Sequence, residues 1–161
     1  MKPSRHLALS TGVGGVVWAA SGEPLAIPIA IAAGVLIDVD HAPDLWSSLV
    51  LRRSPTVIYP LHAWEWVAML IAYGAWVGYP WWLAALIAAF GLHVATDQIF
   101  NRAGPWTYFF FYRARHGFRV AKVAPHWRVE NTMQALQQEM PLAAWFLRWS
   151  ERRWARKAKE Q

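Results

Sequence analysis

The sequence predicts an all-α membrane protein: four short transmembrane helices arranged as two hairpins, plus a C-terminal interfacial amphipathic helix. Three observations predict it. The 161-residue chain is 56% hydrophobic and only 16% charged, against about a quarter charged in ordinary soluble domains. Its apolar residues gather into four segments separated by turn or loop signals. Its basic residues are segregated: residues 6–101 hold only Arg52 and Arg53, whereas residues 102–161 hold twelve of the 16 Lys and Arg.

The first segment runs from about Leu7 to Ala20 behind Lys2 and Arg5. This looks superficially like a signal peptide. The next apolar segment follows almost at once with no small-residue cleavage site, so an uncleaved first helix is expected. The second segment, Pro24 to Ile37, carries no charge at all. The third runs from Trp66 to Tyr79, extendable back to His62. The fourth, Pro80 to Phe100, is interrupted only by His93, Asp97 and Gln98. Ser21-Gly22-Glu23-Pro24 and Gly78-Tyr79-Pro80 read as tight turns, which makes two hairpins.

Each segment is short against the roughly 20 residues of a spanning helix, and the alternative is a soluble bundle of very apolar helices. Trp18, Trp64, Trp66, Tyr79, Trp81 and Trp82 lie at segment ends and favour a membrane, because indole and phenol rings settle at its interface. If all four segments span, every Lys and Arg falls on one face. The positive-inside rule then places both termini in the cytoplasm of a cell with a bacterial-type inner membrane.

The chain divides into a membrane domain, residues 1–104, and an aromatic and basic segment, residues 105–161. The latter opens with the cluster Trp106-Thr-Tyr-Phe-Phe-Phe-Tyr112, followed by Arg113, Arg115, His116, Arg119 and Lys122. From Pro141 to Lys159, Leu142, Trp145, Phe146 and Trp149 recur at helical spacing beside Arg148, Arg152, Arg153 and Arg156. That pattern predicts a basic helix lying on an anionic leaflet. Membrane lipids are therefore the expected partners. Interfacial anchoring accounts for the basic pI of 10.1 without nucleic acid. The absence of cysteine excludes disulfides and thiolate metal sites.

The ionisable groups of the hairpins converge. His6 opens the first segment. Asp38, Asp40 and His41 close the second. His62 and Glu65 open the third, and His93 and Asp97 lie near the end of the fourth. In two hairpins with their open ends together, all eight reach one face. Asp38 and His41 are three apart, His62 and Glu65 three, and His93 and Asp97 four, spacings that share a helix face. A carboxylate at membrane depth costs roughly 2.5–3.5 kcal/mol, and neighbouring carboxylates repel. A divalent cation offsets both. Imidazole and carboxylate donors without thiolate suit Zn, Mn or Fe, with room for one or two ions. The candidate metal ligands are His6, Asp38, His41, His62, His93 and Asp97.

The order of these motifs resembles the YdjM-type family of inner-membrane metal-dependent hydrolases. The matching residues are His6, the Asp38-Val-Asp-His41 motif, His62 at the third helix, and His93-Val-Ala-Thr-Asp97, covering about residues 1–100. A Ser usually follows the third-helix His; here it is Ala63. The resemblance implies a hydrolase but no substrate. The expected chemistry uses a metal-activated water as nucleophile, Glu65 as general base, and Asp40 bridging or orienting a ligand. Arg113, Arg115 and Arg119 are candidates to neutralise an anionic, lipid-like substrate bearing a phosphate or another ester. The competing expectation is a non-catalytic membrane subunit with a structural metal site or buried ion network. A histidine-nucleophile lipid phosphatase is disfavoured, because the companion motifs of that superfamily are missing.

Overall fold

The computed structural model describes residues 3–49, 56–101, 104–125, 145–146, 148–150 and 152. Among these, the chain forms seven α-helices and one 3-10 helix. They are α1 (Pro3–Ser21), α2 (Ala26–Val35), the 3-10 turn Leu36–His41, α3 (Ala42–Leu49), α4 (Trp64–Val77), α5 (Trp81–Phe100), α6 (Phe110–Arg115) and α7 (Val120–Val123).

Local chemistry explains the boundaries. Pro3 opens α1, where a missing N–H costs nothing. Pro28 falls in the first turn of α2, where its missing N–H is also harmless. α2 packs on both α1 and α5, and α5 also packs on α1 and α4.

Three helices carry a buried four-residue repeat. α1 buries His6, Ser10 and Gly14; α2 buries Ala26, Ala30 and Gly34; α5 buries Ala85, Ala89, His93 and Asp97. Small residues draw the backbones together. A Cβ on Gly14 would stand 2.5 Å from Ile27 Cα, and one on Gly34 would collide with Ser10 Oγ. The Ala26, Ala30, Ala85 and Ala89 seam thus holds α2 against α5, and the polar residues of the same faces meet at one end.

The expectation of four transmembrane helices in a multi-pass inner-membrane protein with both termini cytoplasmic is corrected by this architecture. Among the described residues, only α5, Trp81–Phe100, is long and apolar enough to cross a membrane. The apolar second segment does not continue as one helix. α2 ends after ten residues, about 15 Å, and the chain tightens into the 3-10 turn. α4 has 14 residues, about 21 Å, against a hydrocarbon core of about 30 Å. α1 has 19 residues, but Arg5, His6, Ser10 and Thr11 interrupt its apolar character. Three of the aromatic residues expected at an interface also hydrogen-bond within the protein. Trp64 donates to Gln98 Oε1 (2.6 Å), Trp66 to the Pro60 carbonyl (2.8 Å), and Tyr79 to the Ile71 carbonyl (2.9 Å).

The aromatic segment packs into the same body. Tyr108 joins Ile37 and Val94 in a buried cluster, and Val123 joins Val57 and Tyr59 in another. The linker arginines Arg52 and Arg53 lie outside the described residues, as does most of the amphipathic helix expected over 141–159.

Candidate metal centre

The polar residues at the end of the helical seam form one cluster. His6 comes from α1, Asp38, Asp40 and His41 from the 3-10 turn, His62 from the loop before α4, and His93 and Asp97 from α5. The tight turn matters. At three residues per turn, positions i and i+3 eclipse. Ile37 and Asp40 therefore face inward together, while Asp38 and His41 are half-buried together.

Two imidazoles are fixed from behind. His93 Nδ1 donates to the Gly34 carbonyl at 2.7 Å. A carbonyl only accepts, so this nitrogen carries the proton. His62 Nδ1 donates to Asp40 Oδ1 at 2.8 Å. The second Asp40 oxygen accepts the backbone N–H groups of Leu61 and His62 at 2.7 and 3.3 Å. Both Nε2 atoms turn toward the middle of the cluster and stand 2.9 Å apart. His6 Nε2 donates to Asp97 Oδ1 at 2.9 Å. The rings of His6 and His93 stack at 3.9 Å, and those of His41 and His62 meet at 4.4 Å.

The carboxylate oxygens lie at a characteristic spacing. Asp38 Oδ1 is 3.3, 3.5 and 3.6 Å from Nε2 of His62, His93 and His41. Asp97 Oδ2 is 3.7 Å from Nε2 of both His62 and His93. A charge-assisted hydrogen bond would draw these atoms to about 2.7–2.9 Å. Ligands about 2.1 Å from a tetrahedral ion stand about 3.4 Å from one another. These distances match ligands around a cation better than hydrogen-bonded pairs. The donor atoms of Asp38, His41, His62 and Asp97 lie within 4.8 Å of one another, as do those of His6, Asp38 and His93. This mostly buried His/Asp group could hold a metal ion.

Burial disfavours charge on His62, but the adjacent Asp38 and Asp40 carboxylates and the charge of Asp97 outweigh it, raising its pKa to about 9. His62 is thus an imidazolium whose Nε2–H points at His93. His41 moves the other way, to about 4, through burial and the adjacent charge of His62. Burial also disfavours charge on Asp38, yet His62 and the surrounding imidazoles hold its pKa below the usual value.

His6, His62, His93 and Asp97 are buried. The cluster reaches the surface through Asp38 and His41, whose side chains are 31% and 27% exposed.

Other sequence candidates lie elsewhere. The Glu65 carboxylate accepts the backbone N–H groups of Phe110 and Phe111 at 3.0 and 3.2 Å, so it caps α6. Arg113 is fully buried and donates to the His62 carbonyl at 2.8 Å and the Val57 carbonyl at 3.5 Å. Its guanidinium lies about 6 Å from the Tyr59 and Phe110 rings. Burial lowers its pKa from the ordinary arginine value, against the opposing charges of Asp40 and Glu65. Arg115 and Arg119 are exposed.

Sequence reasoning missed the Gly34 carbonyl, which carries no residue-type signal, and the aromatic wall of Tyr59 and Tyr108 beside His62. Tyr108 is held neutral by burial and the Asp97 charge. The single arginine closing a run of aromatics, Tyr112-Arg113, was the available hint of a buried cation. No family model, curated protein or solved structure matches the chain, so the resemblance in motif order rests on its own residues.

Proposed function

We propose that this protein is a metal-dependent hydrolase whose centre is held by His6, Asp38, His41, His62, His93 and Asp97. One observation carries the reading: His62 and His93 are each tied through Nδ1, leaving both Nε2 atoms facing Asp38 and Asp97 oxygens at ligand spacing. Ligating histidines are commonly oriented in this way, by a carboxylate or carbonyl on the far nitrogen. A nitrogen and oxygen donor set suits Zn, Mn or Fe. When bound, such an ion supplies Lewis acidity and a nucleophilic water at neutral pH.

The chain's residues do the rest. Asp40 fixes the ring and backbone of His62. His62 Nε2 gives up its proton when it becomes a ligand. The half-exposed Asp38 and His41 give water and substrate their approach, whereas a purely structural centre would be closed. Glu65, engaged at the start of α6, takes no part in the chemistry. Arg113 steadies the His62 loop rather than meeting substrate. The motif order that resembles the YdjM-type hydrolases agrees with this reading.

The test is elemental analysis of the purified protein beside Asp38→Ala and His62→Ala, followed by a hydrolysis screen of carboxylic and phosphate esters. Stoichiometric Zn, Mn or Fe in the parent, lost together with hydrolysis in both variants, is expected. No metal after supplementation would overturn the reading. Bound metal without hydrolysis would favour a structural centre.

A further inference from the structure

We infer that the centre is dinuclear, with the Asp38 carboxylate shared between two ions; this rests on the metal-centre reading above. Among the described residues the candidate ligands fall into two sets, Asp38 with His41, His62 and Asp97, and Asp38 with His6 and His93. Asp38 is their common member. Within the sets, His6 stacks on His93 at 3.9 Å and His41 lies against His62 at 4.4 Å; the two sets meet where His62 Nε2 and His93 Nε2 stand 2.9 Å apart. Asp38 Oδ1 stands between the pairs, 3.3 Å from His62 Nε2 and 3.5 Å from His93 Nε2.

Ligand number points to the same conclusion. A catalytic ion of this type takes about three protein ligands and a closed structural one about four. Six side chains converge here. A single ion with three or four protein ligands would leave two or three of these side chains outside its coordination sphere. Two ions sharing Asp38 use all six, and the partly exposed Asp38 and His41 mark the side from which water and substrate approach. Paired ions suit a displacement in which attacking and leaving oxygens both carry charge, which selects phosphate esters or carboxylic esters and amides.

The test uses the full-length protein stripped of metal and titrated with Mn(II) alone. Bound manganese is counted after gel filtration, and the low-temperature electron paramagnetic resonance spectrum is recorded. Two equivalents with an exchange-coupled spectrum are expected. His6→Ala and His41→Ala should each fall to one equivalent with an uncoupled six-line signal, and Asp38→Asn should lose the coupling. One equivalent with an uncoupled signal in the parent overturns the dinuclear centre but leaves the metal reading standing. Two uncoupled equivalents overturn the shared carboxylate. No binding overturns both readings. The parent spectrum decides the matter even where a variant fails to fold.

Discussion

His62 and Asp40 are joined twice: Asp40 Oδ1 accepts from the His62 ring at 2.8 Å, and Asp40 Oδ2 accepts from the His62 backbone N–H at 3.3 Å. One carboxylate thus sets both the rotamer and the main-chain position of a residue that contributes to the centre. Asp40→Ala removes the acceptor for three N–H groups. It should lower stability by about 2–4 kcal/mol and metal affinity by about 10–100-fold, read by chemical denaturation and by competition with a coloured chelator. Unchanged affinity would show that the His62 ring is oriented without Asp40.

Glu65 separates a capping role from a catalytic one. Its carboxylate accepts from Phe110 and Phe111, N–H groups at the start of α6 that have no partner within the helix. Glu65→Ala should cost about 1 kcal/mol in denaturation experiments, while the metal content stays at the parent value. Loss of metal at unchanged stability would place Glu65 in the centre after all.

The three arginines should behave differently. Arg113 is buried and holds the His62 and Val57 carbonyls, so Arg113→Met should cost about 2–4 kcal/mol. Arg113→Lys keeps the charge but not the planar fork and should also lower the melting temperature. Arg115→Ala and Arg119→Ala, at exposed positions, should stay within about 0.5 kcal/mol of the parent. A larger loss for the exposed pair than for Arg113 would contradict the placement.

The metal-free protein should be most stable near pH 6.5. His62 titrates at about 9 in the fold and at about 6.5 unfolded. Its stabilisation is complete below pH 6.5 and is lost as the pH rises through 9. His41 titrates at about 4 in the fold. Between pH 6.5 and 4 the unfolded chain binds a proton that the folded chain refuses, so stability falls as the pH drops. Thermal melts from pH 4 to 9.5 in chelator check this. Saturating Zn should reverse the alkaline slope, because an ion replaces the His62 proton. A flat chelated profile from 6.5 to 9 would contradict the charged His62.

The polar cluster was legible because ionisable residues at the ends of long apolar runs have few structural reasons to be there. His6, Asp38, His62 and Asp97 stood out in that way. The turns at Gly22 and Gly78 were legible because Gly and Pro punctuate the chain locally. Glu65 and Arg113 were not: each acts on backbone groups about 45 to 50 positions distant, and no pattern within a segment records such a partner.

The sequence by itself determined that the chain is helical, where its main turns fall, and that imidazoles and carboxylates cluster at the ends of its apolar runs. Those properties follow from local propensity and from the cost of stranding charge in apolar surroundings. Only the tertiary structure decided how long each helix runs and what covers it. An apolar run demands burial without saying against what, and the apolar run Pro24 to Ile37 gives a ten-residue helix that passes into the 3-10 turn Leu36–His41, which places Asp40 against His62. The final placements, with Asp40 behind His62, Glu65 at a helix start and Arg113 beneath a loop, arise from contacts distant in the chain, which exist only once the helices have packed.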